Sequence, residues 1–430
     1  MSGQERFFSG AIESASQDEL RAIQNQRLVK IVKHVYENNA VQKQRMDEAG
    51  VNPADISGVD DIGKLGVMNK AMLRDNYPMQ LSCVDKSQVI EMHMSSGSTG
   101  TPVVMPYTQS DLNQWAECMA RCLHMAGGQK SDVVQITPSF GLFNGGFGFY
   151  HGARAAGMFV VPTGAGNTPR QIKLARDFKT RVLTGVVSYG IRIMEVLTEL
   201  GEELPDLKIG IFGAEIFSEA MKKKISDTMG IEAFDIYGMT ETGGVGTLGM
   251  DCCAHDGIHV WEDHYIIEII DPVTKHAVDD GEIGELVITS VTREALPVIR
   301  FATGDLTRIV SREKCACGRS HLRVAPIRGR VDDMLIIKGV NFWPRQVEDA
   351  LMKIDGVGSN YQIIIEDVDG VRDVRVNVEA EKGVTGHTVC KVLKDALGFT
   401  PAGDVFPIGS LERQQGKAKR VFYKTADGLK

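Results

Sequence analysis

Residues Met94 to Pro106 read Met-Ser-Ser-Gly-Ser-Thr-Gly-Thr-Pro-Val-Val-Met-Pro, straight after the apolar-leaning run Val89-Ile90-Glu91-Met92. Glycines let successive backbone N–H groups turn toward one point, and serine and threonine add donors without bulk. A loop of Ser95, Ser96, Gly97, Ser98, Thr99 and Gly100 therefore suits a polyphosphate. It is not a Walker loop, because Thr101-Pro102 stands where Gly-Lys-Ser/Thr would close one. Alone, the run reads equally well as a surface turn, and its neighbours decide between the two.

On both sides of the loop the chain alternates short apolar runs with helical periods. Residues 17–48 place Leu20, Ile23, Leu28, Ile31, Val32 and Val35 among charged residues at the spacing of an amphipathic helix, and residues 109–126 do the same with Leu112, Trp115, Met119 and Leu123. Val133–Ile136, Met158–Val161, Gly185–Val187 and Ile209–Phe212 read as buried strands, with helices over 169–178 and 191–200 between them. This order predicts an α/β fold with a parallel sheet, whose strand ends carry ligand-binding loops. From 258 to 309 the pattern turns to short alternating strands and turns, predicting a barrel-like β subdomain. A smaller α+β unit follows, with strands at 334–337, 361–366 and 371–378 and helices at 344–353 and 388–397. The boundary falls near Arg330 to Asp332, giving a large domain over 1–330 and a lid over 331–430.

A chain of 430 residues exceeds what one core usually holds. Its formal charge of −8 and lack of a basic tract argue against a general nucleic-acid binder. No apolar run is long enough to span a membrane, and the first residues lack a signal peptide's apolar core, so the cytoplasm is the expected location. In a reducing compartment, Cys315-Ala316-Cys317 and Cys252-Cys253, with histidines nearby, point to a metal before a disulfide.

Three further segments set the meaning of the serine- and glycine-rich loop: Tyr237-Gly-Met-Thr-Glu-Thr-Gly243, Thr303-Gly-Asp-Leu306 and Gly329-Arg-Val-Asp-Asp333. The chain closes on Gly416-Lys-Ala-Lys-Arg420. In order and rough spacing these resemble the adenylate-forming superfamily of acyl-CoA synthetases, adenylation domains and luciferases, over nearly the whole chain. Phe140-Gly-Leu-Phe-Asn-Gly-Gly-Phe-Gly148 and Trp261-Glu-Asp-His264 are similar to signatures of its phenylacetate–CoA ligase branch.

The resemblance implies ATP, Mg²⁺ and CoA as co-reactants, and it assigns roles residue by residue. The loop 95–100 holds the pyrophosphate. Thr240 and Glu241 serve the phosphates, with Glu241 as a carboxylate ligand for Mg²⁺, a hard ion that prefers oxygen. Gly213, Ala214 and Glu215 wall the adenine, beside Asp235, Ile236, Tyr237, Gly238 and Met239. Asp305 accepts the ribose hydroxyls, Arg330 reaches the ribose, and Asp332 is the hinge. Lys417 is the catalytic lysine that offsets charge growing between carboxylate and α-phosphate. Lys419 lies close enough in sequence to compete for that role.

Phe140, Phe143, Asn144 and Gly145 would shape the acyl pocket, as a flat apolar slot beside Ala214 and Tyr237. Two departures stand out: Pro138-Ser139-Phe140 replaces a tyrosine-bearing stretch of the relatives, and Thr101 replaces a lysine that many of them carry. The cysteine knuckle reads as a structural Zn²⁺ site of Cys315, Cys317, His259 and either Cys252 or Cys253, with His255 and His321 in reserve. The expected activity is ATP-dependent ligation of an arylacetic acid to CoA through an acyl-AMP, and the resemblance implies a homodimer. Two alternatives stay open: an adenylyltransferase that joins AMP to a deazaflavin without thiol transfer, and a zinc-stapled binding protein that has lost catalysis.

Overall fold

The computed structural model describes residues 6–95, 101–337, 340–368, 371–412, 419–425 and 428–429. The helix Gln17–Asn38 opens on a capping box, with the Ser16 side chain accepting from the Glu19 N–H and the Glu19 carboxylate accepting from the Ser16 N–H. The single helix expected over 17–48 is two. Asn39 takes an extended conformation, and its side-chain oxygen caps a second helix, Ala40–Glu48, by accepting from the Gln42 N–H at 2.9 Å. Its amide donates to the carbonyls of Gln80 and Ser82, so tertiary partners hold the break.

A nine-stranded sheet forms the centre of the large unit. Its order is Ile309–Ser311, Arg323–Val324, Ile258–Val260, Gly244–Asp251, Glu232–Met239, Ile209–Gly213, Val182–Val186, Val133–Ile136 and Phe159–Val161. The last five run parallel, as the alternation of apolar runs with helices predicts, and the other pairings are antiparallel. One expected strand sits earlier than its apolar run suggests, because a helix starts at Val187. A second, four-stranded antiparallel sheet orders Tyr265–Ile270, Gly284–Ser290, Phe301–Thr307 and Gly329–Arg330.

The strands Ile209–Gly213 and Glu232–Met239 end side by side, delivering residues 213–215 and 240–242 to one sheet edge. The smaller unit has its own core, with Phe342, Val347, Leu351, Ile363, Val376, Val389 and Leu393 fully buried among the helices Pro344–Leu351 and Gly386–Leu397 and a five-stranded sheet. It meets the large unit through Ser359 Oγ donating to Glu195 Oε1 (2.7 Å), Lys224 to the Val357 carbonyl (3.2 Å) and Arg345 to the Ile327 carbonyl (2.6 Å). Among the described residues no helix is long and apolar enough to cross a membrane.

Candidate active site

Antiparallel pairing of Phe301–Thr307 with Gly329–Arg330 sets Asp305 directly opposite Arg330. Arg330 Nη1 donates to Asp305 Oδ1 at 2.7 Å, while the Tyr237 hydroxyl donates to Oδ2 at 2.6 Å. Gly304 has φ +80°, and a Cβ there would lie 2.6 Å from Arg330 Nη2, so only glycine lets the guanidinium lie over this strand. Burial raises the Asp305 carboxyl above its ordinary range, against the pull of Arg330 and Tyr237. Burial, then the Asp305 charge, pushes the Tyr237 hydroxyl well above its usual value, which keeps it a donor. A carboxylate offers about four lone-pair positions, so Asp305 retains capacity for two more hydroxyl donors. Arg330 Nε also reaches exposed Asp332 at 2.9 Å.

On the strand next to that of Tyr237, Gly213 is buried, and Ala214 just after it is exposed with φ +66°. The Glu215 carboxylate turns away to accept from the Ser188 N–H (2.6 Å) and hydroxyl (3.1 Å), capping the helix Val187–Leu200, whose N-cap residue Val186 makes no side-chain cap bond. The exposed part of this segment is therefore Ala214 rather than the acid. Asp235 and Ile236 are buried on the adjacent strand. Burial foremost, then the charge of Asp251, pushes Asp235 up to about 8, with Lys222 and Arg345 pulling the other way. The Asp235 N–H donates to Asp251 Oδ1 at 2.9 Å, and Asp251 Oδ2 takes Lys222 at 2.8 Å and His255 at 3.0 Å. Gly238 and Met239 complete the strand; a Cβ on Gly238 would lie 2.3 Å from the Gly244 carbonyl, so the chain can fold back only over a glycine.

At the end of that strand, Thr240–Thr242 makes one tight turn. The Asn144 amide donates to the Thr240 hydroxyl at 2.9 Å, joining this turn to the Gly-Leu-Phe-Asn loop. Glu241 is only 4% exposed, and its Oε1 lies 2.8 Å from Lys70 Nζ without an aligned hydrogen-bond donor. Sequence reading gave Lys70 no role, since it belongs to none of the motifs. Ser95 closes the base of the phosphate loop: its N–H donates to the Val103 carbonyl and its hydroxyl accepts from the Val103 N–H, both at 2.9 Å. Ser96, Gly97, Ser98, Thr99, Gly100 and Lys417 lie outside the described residues. Lys419 is described, with its ammonium 5.3 Å from the centre of the Phe422 ring.

Beside this turn, Asn144 and Gly145 open the helix Gly145–Ala155. Phe140 packs edge-on against Phe147 (5.3 Å) and Tyr150 (6.3 Å), while Phe143 is 50% exposed. The aromatic cluster thus centres on Phe140, on Phe147 of the same glycine-rich run, and on Tyr150, which sequence reading did not single out. Beneath it, Glu91 Oε1 lies 2.8 Å from His93 Nε2 and 3.2 Å from His151 Nε2. Burial works to raise the Glu91 carboxyl, yet the hydrogen bonds from His151 and His93 hold it at about 2.

A second cluster forms where the hairpins around 252–259 and 315–321 meet. One ligand atom from each of Cys252, His259, Cys315 and Cys317 lies within 4.8 Å of all the others. Cys252 Sγ is 3.7 Å from Cys315 Sγ, and Cys317 Sγ is 3.5 Å from His259 Nε2. His259 Nδ1 lies 3.1 Å from the His321 carbonyl, which fixes the tautomer and leaves Nε2 facing the sulfurs. Cys253 is exposed and outside the cluster, His255 is paired with Asp251, and His321 Nδ1 accepts from the Glu262 N–H. Arg319, fully buried, donates to Cys317 Sγ (3.8 Å) and to Glu13 (2.7 Å), tying the knuckle to the N-terminal segment.

The AMP-binding enzyme family matches residues 7–292, and the AMP-binding enzyme C-terminal domain matches residues 339–424. A phenylacetate-coenzyme A ligase of Pseudomonas putida is 38% identical over 98% of this chain and 98% of its own length. Its counterpart from Escherichia coli K12 is 40% identical over 96% of each. The solved 2-hydroxyisobutyryl-CoA ligase in its postadenylation state with 2-HIB-AMP, 25% identical, superposes with a TM-score of 0.90 over 97% of this chain and 92% of that one. In its thioesterification state the same ligase gives 0.73 over 98% and 93%. The small unit here is thus posed as in the first of those states.

Proposed function

The chain belongs to the AMP-binding enzyme family and is an AMP-forming acid–CoA ligase, and from that premise we propose that its acid is phenylacetate or a near homologue such as indoleacetate. The observation that carries this reading is the Phe140, Phe147 and Tyr150 cluster, joined through Asn144 to Thr240 of the phosphate turn. A flat ring fits against such edges, and burying one gains on the order of 2 kcal/mol, about thirtyfold in affinity.

In the first half-reaction a carboxylate oxygen attacks the α-phosphorus and pyrophosphate leaves. Asp305 and Arg330 grip the ribose, Asp235, Ile236 and Gly213–Ala214 border the adenine, and loop 95–100 holds the phosphates. Lys417, from the small unit, meets the charge growing between carboxylate and α-phosphate. Glu241 suits Mg²⁺: it is a buried carboxylate with an oxygen that no donor is aligned on. Bound there, the ion supplies charge neutralisation at the phosphate oxygens. In the second half-reaction the small unit, 331–430, turns about Asp332 against the large unit, 1–330, and the CoA thiol, losing its proton to solvent, attacks the acyl carbon through its sulfur. The C–O bond to AMP breaks and AMP leaves with the electron pair.

The Cys252, His259, Cys315 and Cys317 set fits a structural Zn²⁺, with three sulfurs and one nitrogen of matched reach and a fixed histidine tautomer. We also infer a homodimer working in the cytoplasm. A panel of acids scored by AMP release tests the substrate: phenylacetate should exceed acetate about thirtyfold or more in kcat/KM. Acetate, palmitate or a dicarboxylate in the lead refutes the aryl assignment.

A further inference from the structure

We propose that Lys70 is the phosphate-facing cation of the large domain, and that its ion pair with Glu241 is one that a divalent cation displaces. The proposal rests on reading Glu241 as the Mg²⁺ ligand. Lys70 opens the short helix Lys70–Asp75, far in sequence from every motif of the site. Its backbone is nevertheless pinned to the strand that bears Asp305. Met68 pairs alongside Phe301, accepting from the Ala302 N–H at 2.8 Å and donating to the Arg300 carbonyl at 2.9 Å. Asn69 then caps the helix by accepting from the Met72 N–H at 3.1 Å. Lys70 so lines an open cleft of about 450 Å³ together with Thr303, Gly304 and Arg330, and its ammonium reaches inward to Glu241.

Three observations point from this pair to phosphate. A carboxylate as buried as Glu241 requires a counter-charge, and among the described residues Lys70 is the cation that pairs with it. The contact is close, 2.8 Å, yet lacks hydrogen-bond alignment at Oε1, so charge and not fixed geometry holds it. The phosphate loop itself, Met94 to Pro106, contains no lysine or arginine, with Thr101 where a cation would stand. A lysine is a compact charge on a flexible stem, able to trade one anion for another while its backbone stays fixed. Once Glu241 serves a divalent cation, Lys70 is released beside the phosphates that accompany it. Lys70 therefore competes with metal alone and cooperates with metal plus nucleotide.

That opposition in sign is the test, made on the full-length protein with Mn²⁺ as the probe, read by its electron paramagnetic resonance. Without nucleotide, Lys70→Met should bind Mn²⁺ about tenfold tighter than the unaltered protein, while its affinity for Mg-ATP falls about tenfold or more. Lys70→Arg should move both values back toward the unaltered protein, and Glu241→Gln should lose Mn²⁺. If Glu241→Gln loses Mn²⁺ but Lys70→Met leaves the Mn²⁺ or the ATP affinity unchanged, the role of Lys70 is overturned and the metal reading stands. If Glu241→Gln keeps Mn²⁺ binding, the metal reading falls and the proposal falls with it. Circular dichroism of each variant separates these outcomes from misfolding.

Discussion

The phosphate turn and the cysteine knuckle lie at opposite ends of one strand, Gly244–Asp251, with Thr240–Thr242 just before it and Cys252 just after. Eight residues of strand separate them by roughly 25 Å. Their construction is opposed. The turn presents hard oxygen donors, Thr240 and Glu241, that are held by exchangeable partners, Asn144 and Lys70. The knuckle gathers three sulfurs and a ring nitrogen, with Cys252 and His259 fully buried and Arg319 behind Cys317. A closed soft site leaves no position for substrate, whereas an oxygen site with movable partners can admit one. On the function proposed above, chemistry and stability would be divided between two ends of the same strand.

The largest effect should come from a residue that serves only the phosphate end. Lys417→Ala should slow acyl-adenylate formation by ~100-fold or more, because charge growing in the transition state loses its counter-charge. Thioester formation from supplied acyl-AMP should be largely spared if, as proposed, the lysine acts in one pose of the small unit, and the zinc content should be unchanged. Pyrophosphate exchange and a single-turnover assay with acyl-AMP read the two halves separately. Equal losses in both would remove Lys417 from the adenylation step and restore Lys419 as a candidate.

The reverse experiment strikes the knuckle. Cys317→Ser should take bound zinc from about one per chain to near zero and lower Tm by about 5 °C or more. The kcat of the protein that remains folded should stay within about twofold, as a closed four-ligand site predicts. Atomic absorption, a melting curve and a rate give the three values. A large fall in kcat at unchanged Tm would erase the division between the two ends.

The two ends were also unequally legible in the sequence. The knuckle could be read because Cys-x-Cys is local and the partner hairpin carries Cys252 and His259 within eight residues; what spacing could not decide, Cys252 against Cys253, depends on which side chain turns inward. The parallel strands were legible from their apolar runs. The break at Asn39 was not, because its cause is a pair of carbonyls, Gln80 and Ser82, 41 and 43 residues away. In the cleft the motifs identified Asp305 and Tyr237 separately, but not the bond between them, which spans 68 residues of chain. Glu215 was legible as part of a motif and not as a helix cap, since Ser188 meets it only through the packing of two parallel strands. Lys70 left no trace at all: a lysine at the start of a short helix looks like any solvated charge until the fold sets it against Glu241.

The smallest expected effect probes where the two ends communicate. Asp251 precedes Cys252, and it accepts from the N–H of Asp235, a residue proposed above to border the adenine. Burial first, and the Asp251 charge second, push the Asp235 carboxyl up to about 8, whereas in an unfolded chain it ionises near 4. Between about pH 4 and pH 8 the folded protein therefore holds a proton that the unfolded chain has released. Stability falls as pH rises across that window and levels off above it, because the unfolded state binds fewer protons there. Asp235→Asn is neutral at every pH and lacks this slope. Its Tm relative to the unaltered protein should rise by about 4 °C between pH 5 and pH 9. The KM for ATP should climb a few-fold above about pH 8 in the unaltered protein, as a charge appears in the buried wall, and stay flat in Asp235→Asn. Parallel pH curves for the two proteins would mean that Asp235 is ionised throughout, and that the wall beside the adenine is polar instead of dry.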